Sequence, residues 1–386
     1  MLHLSQDPTE PSFVQDPYPF YERARAGGDL FHWEEYGLCA VSHRAVMALL
    51  KDRRLGREIP AEAAEAIPER LRPFYDIEAD SMLELEPPRH TRLRGLVLRA
   101  FTSRRIAALE ADIEALCRGL VADFPDGPFD LLDAFARPLP VIVIARLLGV
   151  PEARATDLLA WSNAMVGMYQ ARRTREMEDA AVAASVAFRD FVEETVAARR
   201  QAPGPDLLSE LIAVEREGAR LTTDELVATV ILLLNAGHEA TVHSLGNAVR
   251  LLLAEGVREV DAAVVEECLR LDPPLHLFSR WVYEEVELFG HRFARGDQVN
   301  CLLAAANRDP AAYPEPDAFR PGRSGPQSAA FGGGIHFCVG APLARLEMAV
   351  ALRVLFETCP GLHAAEPSGY ADVFHFHGLE RLMVAR

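Results

Sequence analysis

The chain has 386 residues, 49% apolar and 25% charged, which is the composition of a globular protein with a large core and excludes a disordered or fibrous one. Its net charge of −17 argues against nucleic acid or an anionic membrane as a general partner. Six cysteines (Cys39, Cys117, Cys268, Cys301, Cys338, Cys359) stand far apart with no C-x-x-C pair, so neither a disulfide framework nor a structural zinc site is indicated.

The opening residues, Met1 to Pro8, lack the basic-then-apolar order of a signal peptide. No run supplies the roughly 20 consecutive apolar residues of a membrane span. The expectation is a cytoplasmic protein with no membrane contact. Length alone would suggest two or three domains.

Taken in order, the sequence predicts a short helix over Pro17–Arg25, strands within Phe31–Val41, and a helix capped by Ser42. Pro60–Glu84 has mixed charge and little period, predicting loop and short helix. A helix opens after Pro87-Pro88, with His90 and Arg94 four apart and so on one face. Two such groups suit the edge of an anionic ligand. Arg92, Arg99, Arg104 and Arg105 add a basic stripe in an acidic chain. Ile106–Arg200 has helical periodicity, broken at Pro125–Pro128 and Gly149–Pro151.

Thr222 and Glu225 have capping-box spacing and predict a helix running to about Ala254. Its first half, Val227–Leu234, is apolar all round, which implies burial on every side. Into it are set Asn235-Ala236-Gly237-His238-Glu239-Ala240-Thr241. A mid-helix glycine costs about 1 kcal/mol relative to alanine, so Gly237 is expected to leave room for a ligand or a widened turn. A carboxylate beside an apolar run, Glu239, needs a task or a partner. Further on, Glu267 and Arg270 share a helical face, Asp272-Pro273-Pro274 stops that helix, and Val286–Gln298 predicts a hairpin.

The most informative stretch is Phe331-Gly332-Gly333-Gly334-Ile335-His336-Phe337-Cys338-Val339-Gly340, followed by a helix with Pro342 in its opening turn. Glycines let the backbone pass close to something flat, and the helix N-terminus favours a thiolate at Cys338. The run resembles the cysteine-ligand loop of the cytochrome P450 family, Phe-Gly-x-Gly-x-His-x-Cys-x-Gly. Three further segments, in the same order as in the family, support the resemblance: His90-x-x-x-Arg94, Ala236-Gly237-His238-Glu239, and Glu267-x-x-Arg270.

The resemblance implies one mainly α domain over residues 1–386, with small β-sheets and the long helix lying over a haem. It implies heme b with Cys338 as the axial ligand to iron. Phe331, Gly332, His336 and Gly340 would shape the loop, and His90, Arg94 and Arg280 would contact the propionates. Glu267, Arg270 and a third member, Arg323, would form a structural cluster behind it. Met82, Leu83, Met168, Ala236, Leu275, Leu277 and Phe376 are expected at the substrate pocket, with His276, His375 or His377 as a polar anchor.

The implied activity is insertion of one oxygen atom of O2 into a mainly hydrophobic small molecule. Electrons would come from a separate ferredoxin or flavodoxin with its reductase, docking on the Arg92–Arg105 face. The oxygen-activation motif is incomplete, because Ala240 stands where the family has threonine and Thr241 follows one residue later. One residue of helix is a turn of about 100°, so Thr241 does not take that place. Glu239 is therefore expected to pass protons through water, Thr241 or a substrate hydroxyl. Two alternatives remain at this level: a peroxide-driven or electron-independent enzyme, and a haem sensor or carrier without turnover.

Overall fold

The computed structural model describes residues 1–170, 172–216, 221–374 and 376–386. Its contacts group into two compact units, each built from separate stretches of chain. The first comprises Met1–Ala63, Glu114–Ala136 and His243–Arg386; the second comprises Ala64–Ile113 and Arg137–Val242.

All the described strands lie in the first unit. In chain order they are β1 (Leu2–Leu4), β2 (Leu30–Trp33), β3 (Gly37–Ala40), β4 (Leu55–Gly56), β5 (Phe129–Asp130), β6 (Leu277–Val282), β7 (Val286–Leu288), β8 (His291–Phe293), β9 (Gln298–Leu302), β10 (His363–Ala364) and β11 (Met383–Ala385). Six form a mixed sheet in the order β1-β2-β3-β9-β6-β4. β7 and β8 make the expected hairpin, with Phe289 and Gly290 both at positive φ in its turn. The pairing of β5 with β11 joins residues about 250 apart in sequence and leaves no local signal.

Two apolar clusters among the described residues help to hold this unit. One gathers Val46, Leu49, Val282, Phe293 and Leu303; the other is aromatic, built on Phe13, Phe20, Tyr21, Phe31 and Trp33. Leu277 packs in the aromatic cluster, which makes it a core residue rather than the pocket wall that was expected.

The second unit is helical. It contains Arg89–Ala100, Pro138–Leu148, Ala155–Val166, Arg175–Gln201 and the first part of the central helix, Thr223–Glu255, which continues into the first unit. The predicted cap is present: the Glu225 N–H donates to the Thr222 hydroxyl (3.2 Å), and the Thr222 N–H donates to the Glu225 carboxylate (3.1 Å). At 33 residues this helix is, against expectation, long and apolar enough to cross a membrane by length and composition. Two thirds of its apolar window is buried inside the protein, as in the core helix of a globular domain.

Candidate active site

Cys338 is the one exposed cysteine of the six; the other five are buried. It lies three residues before the helix Ala341–Thr358, whose first turn carries Pro342. The Cys338 N–H donates to the Phe331 carbonyl (3.0 Å), which closes the loop. Arg345, one turn into the helix, stacks over the Phe331 ring at 4.5 Å and pairs with Glu266.

The glycines of this loop have separate reasons. Gly332 and Gly334 both have φ of +69°, and a Cβ on Gly334 would strike the Leu50 carbonyl. A Cβ on Gly332 would come within 3.2 Å of Phe278, and one on Gly340 within 3.9 Å of the Cys338 sulfur. The loop therefore presents one exposed sulfur with Gly340 beside it. That arrangement fits a flat macrocycle carrying a metal that accepts one thiolate.

Behind the loop, Glu267 receives Arg270 through two bonds of 2.8 Å, Arg323 Nε at 3.0 Å, and the Arg320 N–H at 2.8 Å. Arg323 is thus the third member that the sequence suggested. Burial opposes ionisation of Glu267, but the two guanidiniums and the N–H outweigh it and hold the carboxyl below its usual range. Arg270 also donates to the Asn307 carbonyl (2.8 Å), and the Asn307 side chain accepts from the Ala329 N–H (2.6 Å). This links the cluster to the start of the cysteine loop through Asn307, which sequence reading had missed.

Arg280, on β6, is 2% exposed and donates to the Ser279 carbonyl. His336 and Phe331 are half-buried. Of the expected wall residues in this unit, Leu275 and Phe376 are half-buried and bridge one another in antiparallel fashion.

The proposed polar anchors are committed elsewhere. His276 is fully buried with Nδ1 3.0 Å from the Tyr21 hydroxyl, and His377 Nε2–H donates to the Val14 carbonyl (2.9 Å). Their rings lie 4.3 Å apart, and Asp272 is 3.8 Å from His377. Bound into this network, neither is available to a substrate. His375 lies outside the described residues.

In the second unit, His90 is buried and Arg94 half-buried on one helix face. The basic stripe is smaller than expected. Arg92 is held by Glu225 through bonds of 2.8 and 2.5 Å, and Arg105 by Glu210 at 2.7 Å; Arg99 and Arg104 remain exposed.

On the central helix, Ala236 is exposed and Ala240, four residues on, is half-buried, so the accessible face carries small side chains. Glu239 and Thr241 are buried. Gly237 does not make room for a ligand. A Cβ there would lie 2.7 Å from Ile144 of the helix Pro138–Leu148, so the glycine admits a neighbouring helix. His238, to which the sequence gave no role, is 1% exposed with Nε2 3.4 Å from a Glu239 oxygen. Met82 and Met168 are buried and Leu83 half-buried.

Comparison with known proteins accords with this geometry. The family model described as "Cytochrome P450" matches residues 260–360, which include the Glu267 cluster and Cys338. The chain is 37% identical to the cytochrome P450 monooxygenase PikC of Streptomyces venezuelae, over 91% of this chain and 85% of that one. It is 34% identical to the polyketide biosynthesis cytochrome P450 PksS of Bacillus subtilis, over 91% and 87%. A crystal structure of P450BioI, in complex with an acyl carrier protein ligated to hexadec-9Z-enoic acid, superposes with a TM-score of 0.91 at 30% identity, covering 97% of this chain and 99% of that one. The chain belongs to the cytochrome P450 family and, like its bacterial relatives, is a haem-thiolate monooxygenase that works with O2, a substrate and a redox partner.

Proposed function

We propose that residues 1–386 act as one catalytic domain in which Cys338 supplies the axial thiolate to heme b. The observation that carries this is the single exposed cysteine, set in a glycine loop at a helix N-terminus. His90, Arg94 and Arg280 offer the donors for the propionates, and burial of Arg280 rather than exposure on its strand supports that role. When bound, the haem supplies the redox centre at which O2 is activated.

The substrate is read as a mainly hydrophobic small molecule of polyketide or fatty-acyl kind. Support comes from the apolar character of Met82, Leu83, Met168, Ala236, Leu275 and Phe376, and from relatives named for polyketide biosynthesis and for a carrier-bound acyl chain. The protein itself is read as cytoplasmic. Its electrons come from a ferredoxin or flavodoxin, with Arg99 and Arg104 as the contact. A spectral titration of the purified protein against polyketides, fatty acids and terpenoids tests the substrate class. Shifts toward high-spin iron confined to polar, charged compounds would overturn it.

Glu239 is the proton-bearing residue in this reading. Ala240 lacks a hydroxyl, and Thr241 is one residue further round the helix and buried. Protons then pass from Glu239 through water or a substrate hydroxyl, with Thr241 in a lesser part. Glu239→Gln should lower the ratio of product to O2 consumed more than Thr241→Ala does; no change in either would exclude the route. The same absence at Ala240 favours, as a second reading, turnover with peroxide alone. It would show as rates matching those of the complete electron chain.

A further inference from the structure

We propose that His377 is a positioning residue for ligand selectivity, holding Phe376, and with it Leu275, at the pocket wall from a buried polar cluster behind them. This rests on the reading of Phe376 and Leu275 as wall residues.

Leu275 and Phe376 are half-buried and bridge one another in antiparallel fashion. Successive side chains of an extended segment point to opposite sides. The residues that follow them, His276 and His377, are accordingly buried. One side of this pair of segments is thus apolar and partly accessible, and the other is polar and enclosed.

His377 is held through main chain and side chain together. Its N–H donates to the carbonyl of Pro274, the residue before Leu275, at 2.7 Å. Its own carbonyl accepts from Asn247 Nδ2 on the central helix (3.0 Å), while its ring donates from Nε2 to the Val14 carbonyl. The ring also stacks on Tyr370, with centroids 3.8 Å apart. Tyr370 is fixed in turn. Its hydroxyl donates to Asp272 at 2.5 Å, and its main chain exchanges bonds of 2.8 and 2.9 Å with the Gln15 side chain.

These partners come from separate stretches of the first unit, so the cluster ties the N-terminal helix, the central helix and the turn after Asp272 to one point. Buried polar groups that have given up water are costly to leave unpaired, which makes such a cluster rigid. The next position is equally confined, because a Cβ on Gly378 would strike the His243 ring. The main chain on the C-terminal side of Phe376 is therefore fixed from behind. A wall residue keeps its place when the groups supporting it are locked in this way. His377 acts through Phe376 and does not touch the ligand.

The test uses the haem-loaded ferric protein and two azoles, imidazole and 4-phenylimidazole, with binding followed by the shift of the Soret band. Imidazole reports access to iron, and the phenyl group adds a report on the wall. Phe376→Ala should change the ratio of the two dissociation constants by about fivefold or more. His377→Leu, which loses the Nε2 donor, should also change this ratio, leaving imidazole itself within about twofold. His377→Gln, which keeps a donor, should restore the natural ratio. In the Phe376→Ala background, His377→Leu should add no more than about twofold.

Where His377→Leu does not load haem, Asn247→Ala, which frees the His377 carbonyl, takes its place with the same expectations. A ratio unchanged by His377→Leu, or an effect that persists in full without the Phe376 ring, would overturn the proposal. If Phe376→Ala itself leaves the ratio unchanged, the wall reading fails and the proposal with it. A change in Phe376→Ala without one in His377→Leu fails the proposal alone.

Discussion

Glu225 closes the first turn of the central helix and, with the same carboxylate, holds Arg92 of the helix Arg89–Ala100 at two points. One side chain thus caps the longest helix and fixes the position of the helix carrying His90 and Arg94. Arg92 is the main cause that holds the Glu225 carboxyl below its ordinary value of 4.5. A depressed carboxyl stabilises the fold above 4.5, and that contribution is lost as pH falls through the lower folded value. Glu225→Ala should cost about 1–3 kcal/mol. Glu225→Gln should cost less, because glutamine keeps the reciprocal cap. Thermal unfolding of the three proteins at neutral and acid pH checks both.

Among the described residues, Glu267 is the acid that pairs with both Arg270 and Arg323. Removing it leaves buried guanidiniums uncompensated, so Glu267→Ala should destabilise by about 3–5 kcal/mol. Because the chain of contacts runs through Asn307 to Ala329, haem content should fall as well. Denaturant unfolding and the haem-to-protein ratio measure the two effects.

Glu347 sits in the helix that follows Cys338, fully buried, with neither carboxyl oxygen hydrogen-bonded among the described residues. Burial pushes its carboxyl well above the ordinary value of 4.5. The folded state keeps this proton while the unfolded chain releases it. Stability is therefore fully present below 4.5 and declines as pH rises toward the folded value. The slope approaches about 1.4 kcal/mol per pH unit for one such group. Glu347→Gln should remove that slope and be the more stable protein at neutral pH, as measured by unfolding across about pH 5 to 8.

Much of this site was legible because its signals are local or carry unusual chemistry. The Thr222–Glu225 cap, the glycine loop around Cys338 and the Glu267-x-x-Arg270 spacing all fall within a few residues. What was missed depends on distant partners. Nothing near Arg92 announces Glu225, 133 residues on. His276 and His377 looked available until Tyr21 and the Val14 carbonyl, both far upstream, were seen to engage them. Gly237 was misread for the same reason, since the atom that requires it belongs to Ile144 on another helix.

Arg99 and Arg104 are the exposed members of the basic stripe once Glu225 and Glu210 have taken Arg92 and Arg105. Exposed charges steer association and act mainly on its rate, with strong dependence on salt. Arg99→Glu with Arg104→Glu should slow reduction by an acidic ferredoxin by roughly tenfold or more at low salt and flatten its salt dependence. Stopped-flow reduction of the carbon monoxide-ligated haem measures it.

The most direct test of the whole account is the absorption spectrum of the reduced protein with carbon monoxide, recorded beside that of Cys338→His. The account predicts a Soret maximum at the red-shifted position of thiolate-ligated haem in the natural sequence, moving to the imidazole position in the variant. A natural protein that absorbs where imidazole-ligated haems do, or that holds no haem at all, would contradict it.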